Sequence, residues 1–367
     1  MEQVNILIIG AGVIGLAIAR ELSSHNDDIV LVEKEDSFGR ATSSRNSEVM
    51  HSGIYYPKDS LKAQLCVSGV QDLYEYAKEN NIPFNNCGKL IVANDEEELL
   101  VLEELKSKGE KNGVPNLQII NETECKNLEP QIKAKYALKV PTTGIIDSHE
   151  LMKKLESDAE SNGAFIVYNM EVISINKLES SYVVKFSNGE TFNANTVINC
   201  AGLYSDRIAE MVGINIKHED LRIHWCKGEY YKSSKIKGIE HLIYTVPDPK
   251  GIFLGIHLTI NLKGDVRFGP NAYYVDKLNY EMDESYKPEF LKAIKKYVNI
   301  DEENFQLDDC GIRAKLQEDG GIFRDFYIKE ESEKGYANLI NCIGIESPGL
   351  TCCLTIAKQV NKLCFKG

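Results

Sequence analysis

Arginine is scarce in this chain. Of the 42 basic residues among 367, eight are arginine, at positions 20, 40, 45, 207, 222, 267, 313 and 324, and 55 acidic residues leave a formal net charge of −13. So acidic a balance excludes nucleic acid as the main partner, because phosphate backbones need a basic face. It leaves room for a small anion held by a few local cations. Cysteine is plentiful at ten, yet CxxC pairs and Cys/His clusters at metal-ligand spacing are missing, which excludes a zinc-type site. The ten read as reduced thiols in a cytoplasmic setting, and adjacent Cys352 and Cys353 as packing rather than a redox pair. Uninterrupted apolar runs of membrane-spanning length are absent as well. The first apolar run is broken by glycines and preceded by Glu2, so neither a signal peptide nor a membrane anchor is expected, and any membrane contact is peripheral. Internal repeats and low-complexity segments are missing too. What remains is 367 residues, 43% hydrophobic, enough for two lobes with substantial cores.

The most informative stretch runs from residue 4 to 35. Val4, Ile6, Leu7, Ile8 and Ile9 form the apolar run of a strand buried on both faces of a parallel sheet. Gly10-x-Gly12-x-x-Gly15 follows: a tight turn, a place for a pyrophosphate to approach the backbone, and a close helix–sheet contact. A helix is expected from Ile14 to about Ser24, its first amides free to hold phosphate. A second strand, Ile29–Val32, ends at Glu33, where a carboxylate can accept hydrogen bonds from a ribose. Strand, glycines, helix, strand and acid in that order predict a dinucleotide site. These residues do not separate FAD from NAD.

Further along, a polar loop covers residues 39–47. Apolar spacing predicts a helix over 60–80 capped by Asp59 or Ser60. A strand Lys89–Ala93 precedes an acidic helix from Asp95 to Lys108, and residues 144–150 read as a strand running into a capped helix that continues to Ser161. Strands are expected at Phe165–Tyr168, Glu171–Ile175, Tyr182–Phe186 and Thr196–Cys200, the last turning at Ala201-Gly202 as a chain does when its backbone passes close to a cofactor. Residues 219–307 hold aromatic-rich strands, among them Glu229–Tyr231 and Ile252–His257. The tail returns with a strand at Leu339–Gly344 and a helix from Gly349. Cofactor-type motifs at both ends and in the middle imply a discontinuous nucleotide domain with a substrate domain inserted in two pieces.

The segment Ser43-Ser44-Arg45-Asn46-Ser47-Glu48-Val49-Met50-His51-Ser52-Gly53-Ile54-Tyr55-Tyr56-Pro57, with Leu61-Lys62-Ala63-x-Leu65-Cys66-Val67-x-Gly69, closely resembles the FAD-dependent L-2-hydroxyglutarate dehydrogenase/oxidase family, within the D-amino-acid oxidase-like flavoproteins. Matches continue at Gly228–Tyr231, Phe253–Thr259, Gly269–Ala272, Gly311-Ile312-Arg313-x-Lys315-Leu316-Gln317 and Gly344–Thr351, so they span almost the whole chain. The resemblance implies an α/β fold with an α+β substrate lobe: a Rossmann-like FAD-binding domain of the D-amino-acid oxidase/glutathione reductase type with an inserted mixed-sheet substrate domain. It places the FAD-binding domain at 1–85, 145–218 and 308–367, and the substrate domain at 86–144 and 219–307. It implies FAD contacts from Gly10, Gly12, Ile14, Gly15, Glu33, Lys34, Thr42, Ser43, Ser44, Asn46, Ser47, His51, Val172, Ala201 and Gly202. It adds Ser347, Pro348, Gly349, Leu350 and Thr351, a helix start whose amides favour negative charge on the reduced ring.

The implied reaction is oxidation of L-2-hydroxyglutarate to 2-oxoglutarate, with hydride passing from the α-carbon to flavin N5. Glycerol-3-phosphate, or another hydroxy acid or an amine, is the alternative substrate on the same fold, and a flavoprotein that only binds its ligand is the alternative class. Oxygen, a quinone or a carrier protein takes the electrons. The protein must hold the substrate carboxylate, place the carbon and supply a base. Arg313 is the expected carboxylate clamp, because its planar fork matches a carboxylate bidentately; a surface ion pair is the bland reading. His51 is the expected base, with His257 its rival and a non-transferring hydrogen-bonded histidine the alternative for either. Tyr55 leads a group of tyrosines, with Tyr56, Tyr230, Tyr231 and Tyr244, that could offer a hydroxyl to the substrate, although each is commonly a packing aromatic. Lys315 and Arg267 are candidates for the second carboxylate of a diacid, and Glu229 for a structural ion pair.

Overall fold

A computed structural model describes residues 1–25, 28–247 and 255–365. The chain divides into two compact units: unit 1 comprises 1–44, 148–225 and 313–367, and unit 2 comprises 45–147 and 226–312.

Unit 1 is organised by its first strand. In β1 (Glu2–Ile9), Ile6 to Ile9 are buried, as an interior strand requires. β1 pairs in parallel with β2 (Ile29–Val32) on one side, Ile6 opposite Ile29, and with Thr191–Asn199 on the other, Ile6 opposite Thr196. Phe165–Val167 extends the parallel set beyond β2. The Thr191–Asn199 strand carries two partners along one edge. Its first half pairs antiparallel with Tyr182–Phe186, and its second half pairs in parallel with Tyr336–Ile343. A buried amide contact fixes the latter pairing, with Asn199 Nδ2 donating to Asn341 Oδ1 at 2.8 Å. Helix α1 (Val13–Ser23) packs against the helices Ser148–Ser161 and Gly349–Cys364.

Unit 2 is built on a mixed sheet of nine strands among the described residues. Within it the interior strand Lys89–Ala93 is buried at every position, paired in parallel with Leu242–Thr245 and antiparallel with Tyr136–Val140. The helix Glu96–Lys111 starts where Asp95 accepts a hydrogen bond from the Glu98 amide, and three glutamates in its first turn suit the helix dipole. Leu102 and Leu105 are its buried hydrophobics, so the acidic face is left to solvent. An aromatic group closes the other end of the core, where Tyr231 stacks on Phe305 with ring centres 4.5 Å apart. A small separate sheet joins Val49–Met50, Gly144–Ile146 and Phe84–Asn85.

Most of the expected elements are present. The helix over 60–80 is Leu61–Glu79, with Ser60 accepting from the Ala63 amide. The strand expected at Ile252–His257 falls largely outside the described residues; the chain is strand from Leu258 to Ile260. The division of the chain differs from expectation by three to seven residues at three boundaries and by a whole segment at the first. Residues 45–85 pack with unit 2, because Val49–Met50 and Phe84–Asn85 both pair with Gly144–Ile146.

Candidate active site

The glycine turn of unit 1 leaves no room for side chains. Gly10 has φ +107°, and a Cβ there would lie 2.6 Å from the Cys200 carbonyl oxygen; a Cβ on Gly15 would lie 1.9 Å from the Gly10 carbonyl oxygen. Gly12 is the N-cap of α1 and supplies no side-chain cap, and the first turn contains no acidic residue. The helix therefore presents its positive end without a resident carboxylate. Glu33, half-buried at the end of β2, accepts from the Ala11 amide at 2.8 Å and the Glu35 amide at 3.0 Å. Two of the roughly four lone-pair sites of a carboxylate are thereby used, which leaves acceptors for a ribose. Ser43, in the short 3-10 turn Thr42–Ser44, accepts from the Val13 amide at 3.0 Å, and Ser44 donates to the Gly39 carbonyl. Ile14 is partly exposed beside them, and exposed Lys34 lies 4.2 Å from the centre of the Tyr204 ring.

Three further pieces of unit 1 come from distant sequence. Val172 is buried at the start of its strand. Ala201 donates its amide to Asn199 Oδ1, and Gly202 starts a 3-10 turn. Ser347 and Pro348 precede the helix Gly349–Cys364, which lacks both a side-chain cap and an acidic first turn; Leu350 is half-buried and Thr351 fully buried. Two helix starts without an acidic first turn, a carboxylate just past β2 and a glycine turn with no room for Cβ atoms fit a dinucleotide. Arg313 is half-buried in unit 1, near the end of the strand Phe305–Lys315.

Lys315 is not available for a substrate carboxylate. Its ammonium bonds both oxygens of Glu346, at 2.8 and 3.0 Å, with each residue 9% exposed. Removing one partner of so buried a pair strands the other charge. Glu346→Ala is expected to lower unfolding free energy by about 3–5 kcal/mol, and a Lys315→Met/Glu346→Leu double variant to lose far less; urea denaturation of both checks this. Arg267 is ion-paired with Asp308, although its Nε is not hydrogen-bonded among the described residues, and its guanidinium lies 4.4 Å from the Tyr230 ring centre. Glu229 holds a structural network: Tyr273 donates to it at 2.7 Å and Lys227 lies 3.4 Å away.

Unit 2 gathers His51, Tyr55, Lys89, Tyr244 and His257. The rings of Tyr244 and His257 stack with centres 3.8 Å apart. The Nδ1 of His257 lies 2.9 Å from the Gly255 carbonyl oxygen. A carbonyl only accepts, so Nδ1 carries the proton and Nε2 keeps a lone pair in the neutral ring. His51 Nδ1 is shielded from water. Burial, then the nearby Lys89 and His257 charges, push the His51 imidazole down to about 3, so it is neutral at physiological pH. Burial, and then Tyr244, holds the Tyr55 phenol well above its ordinary value, keeping it a donor. Asn46 and Ser47, half-buried at the start of unit 2, precede this group; Asn46 Oδ1 accepts from the Glu48 amide at 2.8 Å. Tyr56 is half-buried, and Tyr231 is committed to the aromatic core.

The pattern of the FAD dependent oxidoreductase (DAO) family matches residues 5–363. The chain belongs to that family. Within it, the chain is 34% identical to the mitochondrial L-2-hydroxyglutarate dehydrogenase of Arabidopsis thaliana, covering 98% of this chain and 83% of the relative. It is 33% identical to the L-2-hydroxyglutarate dehydrogenase of Indibacter alkaliphilus, over 99% of each. Among solved structures it is similar to L-alpha-glycerophosphate oxidase of Mycoplasma pneumoniae with FAD bound, with TM-score 0.88, 27% identity, and coverage of 99% of this chain and 95% of that one. As a member of this family, the chain is an FAD-dependent oxidoreductase. No helix among the described residues is long and apolar enough to cross a membrane, and all ten cysteines are free.

Sequence reasoning missed Lys89. The sequence places it in the strand Lys89–Ala93 without a role, yet it is 0% exposed. The only signal was its place beside Leu90-Ile91-Val92-Ala93, an unbroken buried run rather than an alternating one.

Proposed function

We propose that this chain oxidises L-2-hydroxyglutarate to 2-oxoglutarate with FAD as its oxidant. The likeness over almost the full length of both chains to proteins named L-2-hydroxyglutarate dehydrogenase carries the reading. Bound FAD supplies a two-electron acceptor for the hydrogen on the hydroxyl-bearing carbon. Gly10, Gly12, Gly15 and the start of α1 hold the pyrophosphate, and Glu33 holds the ribose. Residues Thr42–Ser44, Asn46, Ser47, Ala201, Gly202 and the 347–351 helix start take the remaining polar edges. Unit 1 is thus assigned to the cofactor and unit 2 to substrate chemistry. The free thiols support a reducing, cytoplasmic setting.

His51 takes the hydroxyl proton in this scheme. Its neutral state supports the role, because only the unprotonated imidazole accepts a proton. His257, with its proton held on Nδ1, stacks on and positions the Tyr244 ring. Arg313 clamps the carboxylate next to the reacting carbon. Arg313→Ala is expected to raise KM by about 100-fold with a smaller fall in kcat, as loss of one charged, hydrogen-bonded partner does; steady-state kinetics with an artificial electron acceptor checks it.

Glycerol-3-phosphate is the second reading, favoured by the TM-score of 0.88 to the glycerophosphate oxidase. Comparing kcat/KM for L-2-hydroxyglutarate, its D-isomer and glycerol-3-phosphate decides between them. The first is expected to exceed the other two by about 100-fold or more; a preference for the phosphate ester moves the function to the second reading.

A further inference from the structure

Lys89 is a buried amine with no hydrogen-bond partner, and no carboxylate pairs with it, among the described residues; burial brings it down to about 7. Its neighbours are two aromatic faces, with Nζ 4.7 Å from the centre of the Tyr55 ring and 4.6 Å from that of Tyr244. The Tyr55 hydroxyl is also buried and without a partner among the described residues. Ring faces attract a cation, but they recover only part of the hydration it gives up on burial. An amine held in this state on an interior strand gains its full charge when an anion sits beside it. Tyr244 is held in place by its stacking on His257 and by the parallel pairing of Leu242–Thr245 with Lys89–Ala93.

A five-carbon diacid has two carboxylates, and each needs its own donors. Arg313 serves one of them in the reading above. Arg267 and Lys315 are committed to Asp308 and Glu346, and Lys227 to Glu229 and the Glu281 carbonyl. We propose that Lys89, with the Tyr55 hydroxyl, binds the second carboxylate and thereby selects dicarboxylates over monocarboxylates. This rests on the functional reading and adds the residue that selects the diacid. Ammonium and phenol together give a carboxylate two hydrogen bonds, one of them charge-assisted.

The test compares FAD-loaded wild type with Lys89→Met, which keeps the volume, and Lys89→Gln, which keeps a donor without charge. One readout is the ratio of kcat/KM for L-2-hydroxyglutarate to that for L-2-hydroxypentanoate. The other is the ratio of Kd values for glutarate and pentanoate, read from the flavin absorbance without turnover. Both preferences are expected to fall by about 100-fold in Lys89→Met, with Lys89→Gln close behind, and thermal stability is expected not to drop, because an unpaired buried amine has been removed. Wild type that turns over L-2-hydroxyglutarate, with ratios unchanged in the variants, overturns the Lys89 assignment and leaves the functional reading standing. An equal loss for diacid and monoacid also overturns it, since Lys89 then serves the shared carboxylate. Equal binding of glutarate and pentanoate by the wild type overturns it without any variant. Wild type that turns over no 2-hydroxy acid overturns both.

Discussion

Replacing His51 with alanine is expected to leave a protein that still carries FAD and turns over its substrate about 10²–10⁴-fold more slowly, the range removed with a general base. The loss should fall on kcat with KM nearly unchanged, because the carboxylate contacts assigned to Arg313 and Lys89 survive. The pH profile separates this role from a structural one. A histidine with its ordinary value near 6.5 gains its proton as pH falls, so kcat/KM would drop about 30-fold between pH 8 and pH 5. His51 in the free protein is held at about 3, by burial first and then by Lys89 and His257. A lowered value keeps the base form populated at lower pH, so the acid limb of kcat/KM from His51 is expected below pH 5. Lys89→Met removes one of the causes that lower His51, and in that variant the limb should move upward. His51→Ala with wild-type kcat would transfer the base role to His257.

Gly15→Ala is expected to weaken FAD binding by about 10–100-fold and to lower stability by about 1–3 kcal/mol. The reason is geometric. The new methyl carbon would stand 1.9 Å from the Gly10 carbonyl oxygen, a backbone atom that cannot step aside as a side-chain tip can. Either α1 moves outward or the Gly10 turn opens, and each displaces the uncapped helix start from the pyrophosphate. Gly10 cannot absorb the change easily: its amide bonds the Val32 carbonyl at 2.8 Å and its φ of +107° belongs to glycine. The measurement is FAD per chain after gel filtration, with the far-ultraviolet circular dichroism retained.

The parts legible in the sequence were those set by local chemistry. β1, α1 and β2 follow from an apolar run, three glycines and a second run, and they stand within a residue or two of expectation. The Ser60 cap and the acidic start of the Glu96–Lys111 helix are likewise local signals. What was not legible depends on pairing across long stretches of chain. Residues 45–85 follow directly on the glycine motif, yet their strands join Gly144–Ile146, so they belong to unit 2. Lys315 and Arg267 looked available because nothing nearby in sequence announces Glu346 or Asp308 as their partners. Lys89 was hidden as well. Its local setting marks only a strand, and it is the packing of Tyr55 and Tyr244 around it that shows an amine shut away from water.

The measurement that tests the account most directly is the visible spectrum of the purified holoprotein under anaerobic conditions, before and after L-2-hydroxyglutarate, with the D-isomer and glycerol-3-phosphate as parallel additions. The L-isomer alone is expected to bleach the flavin band, with one 2-oxoglutarate formed per flavin reduced. Bleaching by glycerol-3-phosphate and not by L-2-hydroxyglutarate would contradict it.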